Sequence, residues 1–283
     1  MTFGPFIKVF FLLFTFSICQ NPNIDAQTVS EEKRDQIDLS VVLKNSADYC
    51  KKLENACLYF VCLEKIKERI FYHHRPTPSS IRPTSLFSEK KYVYDYQLLR
   101  KEGRVTESRI LIEEDGQKKK ESGANLKTIM FDHKYITFGP VGILSESWQG
   151  SHNYKILKEE NLLGKKTIVV DVTPKFDQMA DHLFGKAWLD KNDFSVIKIE
   201  WDQASLGNFS KIQEIAKSLE AEPQITFISE YGIEKNGIRF PTRYFIREEY
   251  LHPHRGRFIR SETIVHYEDY KFFMVETEVR YEK

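Results

Sequence analysis

The chain is expected to fold as a mainly β protein with helices (α+β), a curved antiparallel sheet forming a half-open barrel around an N-terminal helix. Three observations predict this. An apolar stripe of helical period stands early in the chain, runs of period two follow it nearly to the end, and short turn signals join those runs. A helix followed by a long antiparallel sheet buries both apolar faces most economically when the sheet wraps around the helix.

The first residues read as an export signal. Lys8 precedes the apolar run Val9 to Cys19, and polar Gln20-Asn21-Pro22-Asn23 follows. That run of eleven residues is too short to cross a hydrocarbon layer of about 30 Å at about 1.5 Å per residue. Residues 1–26 are therefore expected to be a signal peptide cleaved after Ile24-Asp25-Ala26, giving an exported, periplasmic protein. The alternative is lipid anchoring through Cys19, although Ile18 before it is bulky for lipoprotein processing. Residues 27–37 read as a flexible polar N-terminus and residues 38–283 as a single domain, without a low-complexity linker or an obvious repeat. The formal net charge is +1, and the first 26 residues carry one Lys and one Asp. This balance gives no electrostatic footprint for nucleic acid.

Leu39, Val42, Leu43, Ala47, Cys50, Leu53, Cys57 and Phe60 recur at spacings of three and four, predicting an amphipathic helix with Asp38 as its cap. From about Phe60 the pattern turns to strand, and the Pro-rich stretch Arg75 to Pro83 breaks it. A meander is expected next: Lys91 to Lys101, a turn at Gly103, Val105 to Glu114, and a turn at Asp115-Gly116. Lys118-Lys119-Lys120 reads as a solvated hairpin tip. Later strands are expected at Ile225 to Tyr231, Ile238 to Tyr250, Phe258 to Tyr267 and Lys271 to Tyr281, with joints at Lys235-Asn236-Gly237 and Glu268-Asp269. A second helix is expected over Asn208 to Leu219.

The stretch Leu162 to Asp202 is the most informative. Thr167 to Val172 is β-branched and apolar, Pro174 stops it, Gly185 opens a second run, and Asp190-Lys191-Asn192-Asp193 turns it into a return strand from Phe194 to Trp201. The order of Gly164, strand, Pro174-Lys175, Trp188-Leu189-Asp190 and return strand resembles the periplasmic LolA-like outer-membrane lipoprotein-sorting family and the related RseB/MucB envelope sensors. The resemblance covers about forty residues. It implies a half-barrel whose helices close the mouth of an apolar cavity, and a carrier that binds lipoprotein acyl chains or other lipids. The alternative it implies is an envelope lipid or stress sensor acting through a protein partner. A hydrolase using the cavity is a third reading.

The cavity wall is expected along Tyr92, Tyr94, Tyr96 and Leu98, which share one strand face; the other reading of this row is cross-strand packing alone. Phe131 to Gly150, with Phe138, Val141, Ile143, Leu144 and Trp148 gathered around Gly139-Pro140 and Gly142, is either a lid or a connecting helix of the core. Cys50, Cys57 and Cys62 remain after signal cleavage. Cys50 and Cys57 on one helix would lie about 10 Å apart, too far to bridge, so a Cys50–Cys62 staple from helix to strand competes with free buried thiols. No catalytic residue, metal site or cofactor is expected. His73-His74, Asp181-His182 and His252-Pro253-His254 lack a matching second half, phosphate and dinucleotide loops are missing, and Glu248-Glu249 would point to opposite faces of a strand. The expected partners are lipid or lipoprotein acyl chains and envelope proteins.

Overall fold

The computed structural model describes residues 37–56, 59–72, 87–101, 104–128, 136–175 and 183–273, all within one compact unit that begins at Ile37. The expected signal segment with Cys19, most of the polar N-terminus, Cys57, His73-His74, the Pro-rich stretch, Gly103, residues 131–135 of the expected lid and Asp181-His182 lie outside the described residues.

Helix α1 runs Leu39–Asn55, and Asp38 caps it by accepting a hydrogen bond from the Ser40 N–H at 2.8 Å. It ends before Phe60, which the helical spacing had included. Phe60 instead begins an alternation with Cys62, Glu64, Ile66 and Glu68, all buried on strand β1 (Tyr59–Phe71). Strands β2 (Phe87–Lys101), β3 (Arg104–Glu114) and β4 (Gln117–Glu121) make the meander, with Asp115 and Gly116 both at positive φ in the second turn. All of β4 is exposed, and its three lysines stand on a sheet edge, where charge discourages pairing with another chain.

Short helices α2 (Gly139–Leu144) and α3 (Glu146–Gln149) lead into β5 (His152–Leu162), β6 (Lys165–Pro174), β7 (Gly185–Asp190) and β8 (Val196–Trp201). Helix α4 (Phe209–Ser218) falls where the second helix was expected. It is followed by β9 (Glu222–Glu230), β10 (Ile233–Lys235), β11 (Ile238–Phe240), β12 (Arg243–His252) and β13 (Gly256–Phe272). Eleven strands form one sheet in the order β4-β3-β2-β1-β13-β12-β9-β8-β7-β6-β5, while β10 and β11 pair separately. Each neighbouring pair is antiparallel, and the curved sheet does not close into a barrel.

Three strand expectations need correction. Phe258 to Tyr267 and the start of Lys271 to Tyr281 belong to the single strand β13. Asp269 takes φ 58°, but the pairing passes from Leu63 with Glu268 to Val61 with Lys271, so the residue forms a bulge and not a hairpin. Residues 274–281 lie outside the described residues. Ile238 to Tyr250 is two strands, because Pro241 has no N–H for a ladder and separates β11 from β12. Strand β5 was not foreseen: its residues are mostly polar and exposed, as an edge strand allows.

Alternation and register define the inner face. Ile66 pairs with Tyr92 and Val265, Val265 with Tyr244, Tyr244 with Ser229, and Ser229 with Ile199; all six are buried. Buried α1 residues Val42, Tyr49, Cys50 and Leu53 join the same apolar core. At Gly185 β7 lies so close to β8 that a Cβ would run into the Glu200 carbonyl, which explains glycine at the start of that strand.

Candidate functional site

The expected wall is continuous. Tyr92, Tyr94, Tyr96 and Leu98 face Ile66, Glu64, Cys62 and Phe60 of β1 in direct register, and none of the four wall residues is more than 6 % exposed. The hydroxyls of Tyr94 and Tyr96 have partners. Tyr94 donates to the Asn125 carbonyl at 3.3 Å and accepts from the Lys127 N–H at 3.2 Å, so the segment after β4 folds back over this strand. Burial pushes the Tyr94 phenol up to about 12. Tyr96 donates to Glu107 at 2.7 Å, and burial, reinforced by that carboxylate, raises it well above the usual phenol range.

The wall also holds an ion pair that sequence reading missed. Arg109 on β3 reaches across β2 to Glu64 on β1, with its Nε at 2.6 Å from Oε2 and its second nitrogen at 3.1 Å from Oε1. Glu64 is 0 % exposed and Arg109 7 %. Tyr267 donates to Glu64 at 2.9 Å, Arg109 also reaches Glu107 at 3.2 Å, and its guanidinium lies 4.8 Å from the centre of the Tyr96 ring. Burial opposes the Arg109 charge, but the carboxylates of Glu64 and Glu107 outweigh it and hold the guanidinium firmly protonated. A second inward carboxylate, Glu248, accepts from Tyr250, from Ser261 at 2.9 Å and from Arg260 at 3.3 Å. Its neighbour Glu249 sits at a shift in the β12–β13 register. The signal was available: Glu64 and Glu68 occupy the same alternating positions as Phe60, Cys62 and Ile66, where a half-buried strand places its core residues.

The residues of the expected lid cover the inner face. Ile143 and Leu144 are 0 % exposed, while Phe138, Val141 and Trp148 are partly buried. Hydrogen bonds fix the segment's main chain: Tyr231 donates to the Ile136 carbonyl at 2.8 Å, Tyr154 to the Ile143 carbonyl at 2.6 Å, and the Gln149 side chain to the Leu43 and Leu144 carbonyls at 2.8 and 2.9 Å. Gly139 has a packing reason, because a Cβ there would lie 2.6 Å from the Tyr231 hydroxyl and 3.2 Å from the Trp201 ring. The guanidinium of Arg100, beyond the wall on β2, lies 5.1 Å from the centre of the Phe138 ring.

Cys50 and Cys62 are both free and buried, so the expected staple is absent. Cys50 lies on the α1 face turned to α2, with its thiol 3.5 Å from the Pro140 carbonyl, whereas Cys62 lies in the sheet opposite Tyr96. Burial raises both thiols well above the usual range, which makes them poor nucleophiles. His252 turns its Nδ1 to the N–H groups of His254 and Arg255 at the end of β12, a turn-capping role. Among the described residues no group of three or more His, Cys, Asp or Glu could hold a metal ion.

One further ion pair ties the ends of elements together. Arg239 on β11 and Asp190 at the end of β7 are 3 % and 1 % exposed and meet at 3.1 Å, with Lys165 at 2.8 Å from the same Asp190 oxygen. Burial works against the Asp190 charge, but the hydrogen bonds from Lys165 and the Asn192 N–H prevail and hold its carboxyl below the usual range. The Tyr49 hydroxyl accepts from the Arg239 N–H at 3.3 Å, linking the pair to α1.

No protein-family model and no curated protein matches the chain. Among solved structures it is similar to a LolA superfamily protein from Nitrosomonas europaea, at 14 % identity over 85 % of this chain and 96 % of that one, with a TM-score of 0.38. It is also similar to a putative outer membrane lipoprotein-sorting protein domain from Vibrio parahaemolyticus, at 12 % identity over 83 % and 94 %, with a TM-score of 0.40. The Pseudomonas aeruginosa MucA/MucB complex is a third, at 10 % identity over 81 % and 93 %, with a TM-score of 0.23. The chain's own architecture is an open, curved antiparallel sheet of eleven strands.

Proposed function

We propose that the protein is an exported, non-enzymatic envelope carrier that shelters acyl chains of lipids or lipoproteins against the inner face of its sheet. The observation that carries this reading is the cover of that face. Among the described residues, the inner face of a sheet whose edge strands are β4 and β5 is roofed, beside α1, by helices of six and four residues, the first packed on Tyr154, Trp201 and Tyr231. Their tyrosine and glutamine hydrogen bonds to main-chain carbonyls can be broken and remade without covalent chemistry. Displacing α2, whose Ile143 carbonyl is held by Tyr154 and whose Gly139 packs on Tyr231 and Trp201, would open the inner face beside α1, and an acyl chain entering there would gain about 0.8 kcal/mol per buried CH₂. Binding is then reversible burial, and release requires only that a partner hold the roof open. The buried thiol of Cys62 and the carboxylates of Glu64 and Glu248, held by Arg109 and Tyr267 and by Tyr250, Ser261 and Arg260, support a wall and not a reacting centre.

Mass spectrometry of ligands extracted from protein purified without detergent tests the reading. Acyl lipid recovered in a fixed ratio to the protein is the expected result. Protein that carries none, and binds no fluorescent fatty acid afterwards, would leave the sheet as a packed structural domain.

A further inference from the structure

We infer that the cleft between the C-terminal end of α1, the β10–β11 hairpin and the end of β13 binds the anionic head of a single-chain amphiphile, a long-chain carboxylate, at the entrance to the inner wall. The inference rests on the carrier reading and deepens it by naming where the ligand enters and what its head is.

The cleft has a volume of about 650 Å³. Its apolar floor is Tyr59, Ile238, Phe240, Phe272 and Phe273, with Phe273 53 % exposed. Lys52 and Lys235, both exposed, stand on its rim. Local structure brings them together. Lys52 lies in the last turn of α1, and the Asn236-Gly237 turn, both residues at positive φ, folds β11 back on β10 so that Lys235 pairs with Ile238. The Lys52 ammonium rests against Gly237, where a side chain would collide with it.

Charge and continuity select the occupant. Two ammonium groups above an aromatic floor complement a ligand with a negative head and an apolar body. The floor also runs inward without a break: Phe272 lies 4.8 Å from Phe240 and 6.1 Å from Phe60 between ring centres, Phe240 lies 5.4 Å from Phe60, and Phe60 lies 5.9 Å from Tyr96 of the wall. Phe240, Phe60 and Tyr96 are buried against one another, so a tail reaches the tyrosine row by parting these rings while its carboxylate stays with the lysines at the water boundary. Exposed ion pairs are weak, so the lysines would set preference for the head and the rings would supply most of the affinity.

Calorimetric titration of the whole protein with dodecanoate and with dodecanol tests this. Dodecanoate should bind roughly three- to tenfold tighter at low ionic strength, and the gap should close at about 0.5 M salt, where the screening length falls to roughly 4 Å. Lys52→Gln with Lys235→Gln should remove the gap, and Lys→Arg at both positions should keep it. Phe273→Ser should weaken both ligands by a similar factor. Since these side chains are exposed, melting curves should coincide with that of the unaltered protein. Equal binding of the two ligands, or a gap that survives loss of both lysines, overturns the head site and leaves the carrier reading standing; binding of neither ligand overturns both. Carboxylate binding seen only after removal of residues 274–283 would give the cleft to the chain's own terminal segment and overturn the assignment.

Discussion

The two halves of the inner face are built differently. On β6, β7 and β8 it is aliphatic up to Trp201 at the end of β8: Ile168, Val170, Val172, Ala187, Leu189, Val196 and Ile199 are all 0 % exposed. On β1, β2, β3, β12 and β13 it is made of Phe60, Tyr94, Tyr96, Tyr244 and Tyr267 around the buried charges of Glu64, Arg109 and Glu248. The aliphatic half is satisfied by burial alone, which is non-directional and tolerant. The aromatic half must satisfy each hydroxyl and carboxylate, so its geometry is set by specific partners and single side-chain losses there should be costly. On the proposed carrier reading the difference also separates roles, with the aliphatic surface anchoring the sheet and the rings lining the ligand.

The largest effect should come from breaking the ion pair of the aromatic half. Arg109→Met leaves the fully buried Glu64 without its guanidinium and should cost about 3–5 kcal/mol in urea unfolding. Adding Glu64→Leu should recover most of that loss, since an apolar pair of similar size carries no desolvation cost. A double variant as unstable as the single one would mean that the pair holds the strands in register in a way burial cannot replace.

The aliphatic half keeps its charges at strand ends, and Asp190→Asn should cost about 2–4 kcal/mol at neutral pH by weakening the clasp with Arg239 and Lys165. Because the folded-state carboxyl is held below its usual range, the stability it supplies is fully present above the unfolded value of about 3.9. That contribution is lost as pH falls from there through the lower folded value. The gap between the native protein and the variant in thermal melts should therefore narrow only in acid; a gap that narrows toward alkaline pH would contradict the assignment.

Tyr267→Phe removes one of the donors to Glu64 and should cost about 1–2 kcal/mol. The effect should vanish in the Glu64→Leu, Arg109→Met background, which makes it a test of coupling within the aromatic half.

The aliphatic half was the easier to read from sequence. Thr167 to Val172 and the Asp190 to Asp193 turn announce themselves through β-branched residues and turn chemistry, and β6, β7 and β8 follow them closely. The two longer helices were equally legible, through period and, for α1, the Asp38 cap. In the aromatic half period two placed β1 and β2 correctly and put the tyrosines on one face, but it could not reveal that Glu64 in the same register would be neutralised by an arginine far along the chain. Such pairing is long-range, and spacing is silent about it. Asp269 and Pro241 misled in opposite ways: a left-handed residue read as a hairpin is a bulge, and a proline read through is a break. The Cys50–Cys62 pairing failed because helix faces are set by packing, and Cys50 turns to Pro140 of α2.

The central claim is that the aromatic half is the ligand wall and the aliphatic half is not. Leu98→Ala and Ile168→Ala remove the same kind of group, both from fully buried sites, one in each half. Each should cost about 2–5 kcal/mol. Measuring fluorescent fatty-acid affinity and melting temperature on the two variants side by side should show similar melting drops, with affinity falling several-fold in Leu98→Ala alone. Equal affinity losses in both variants, or none in Leu98→Ala despite its melting drop, would contradict the account.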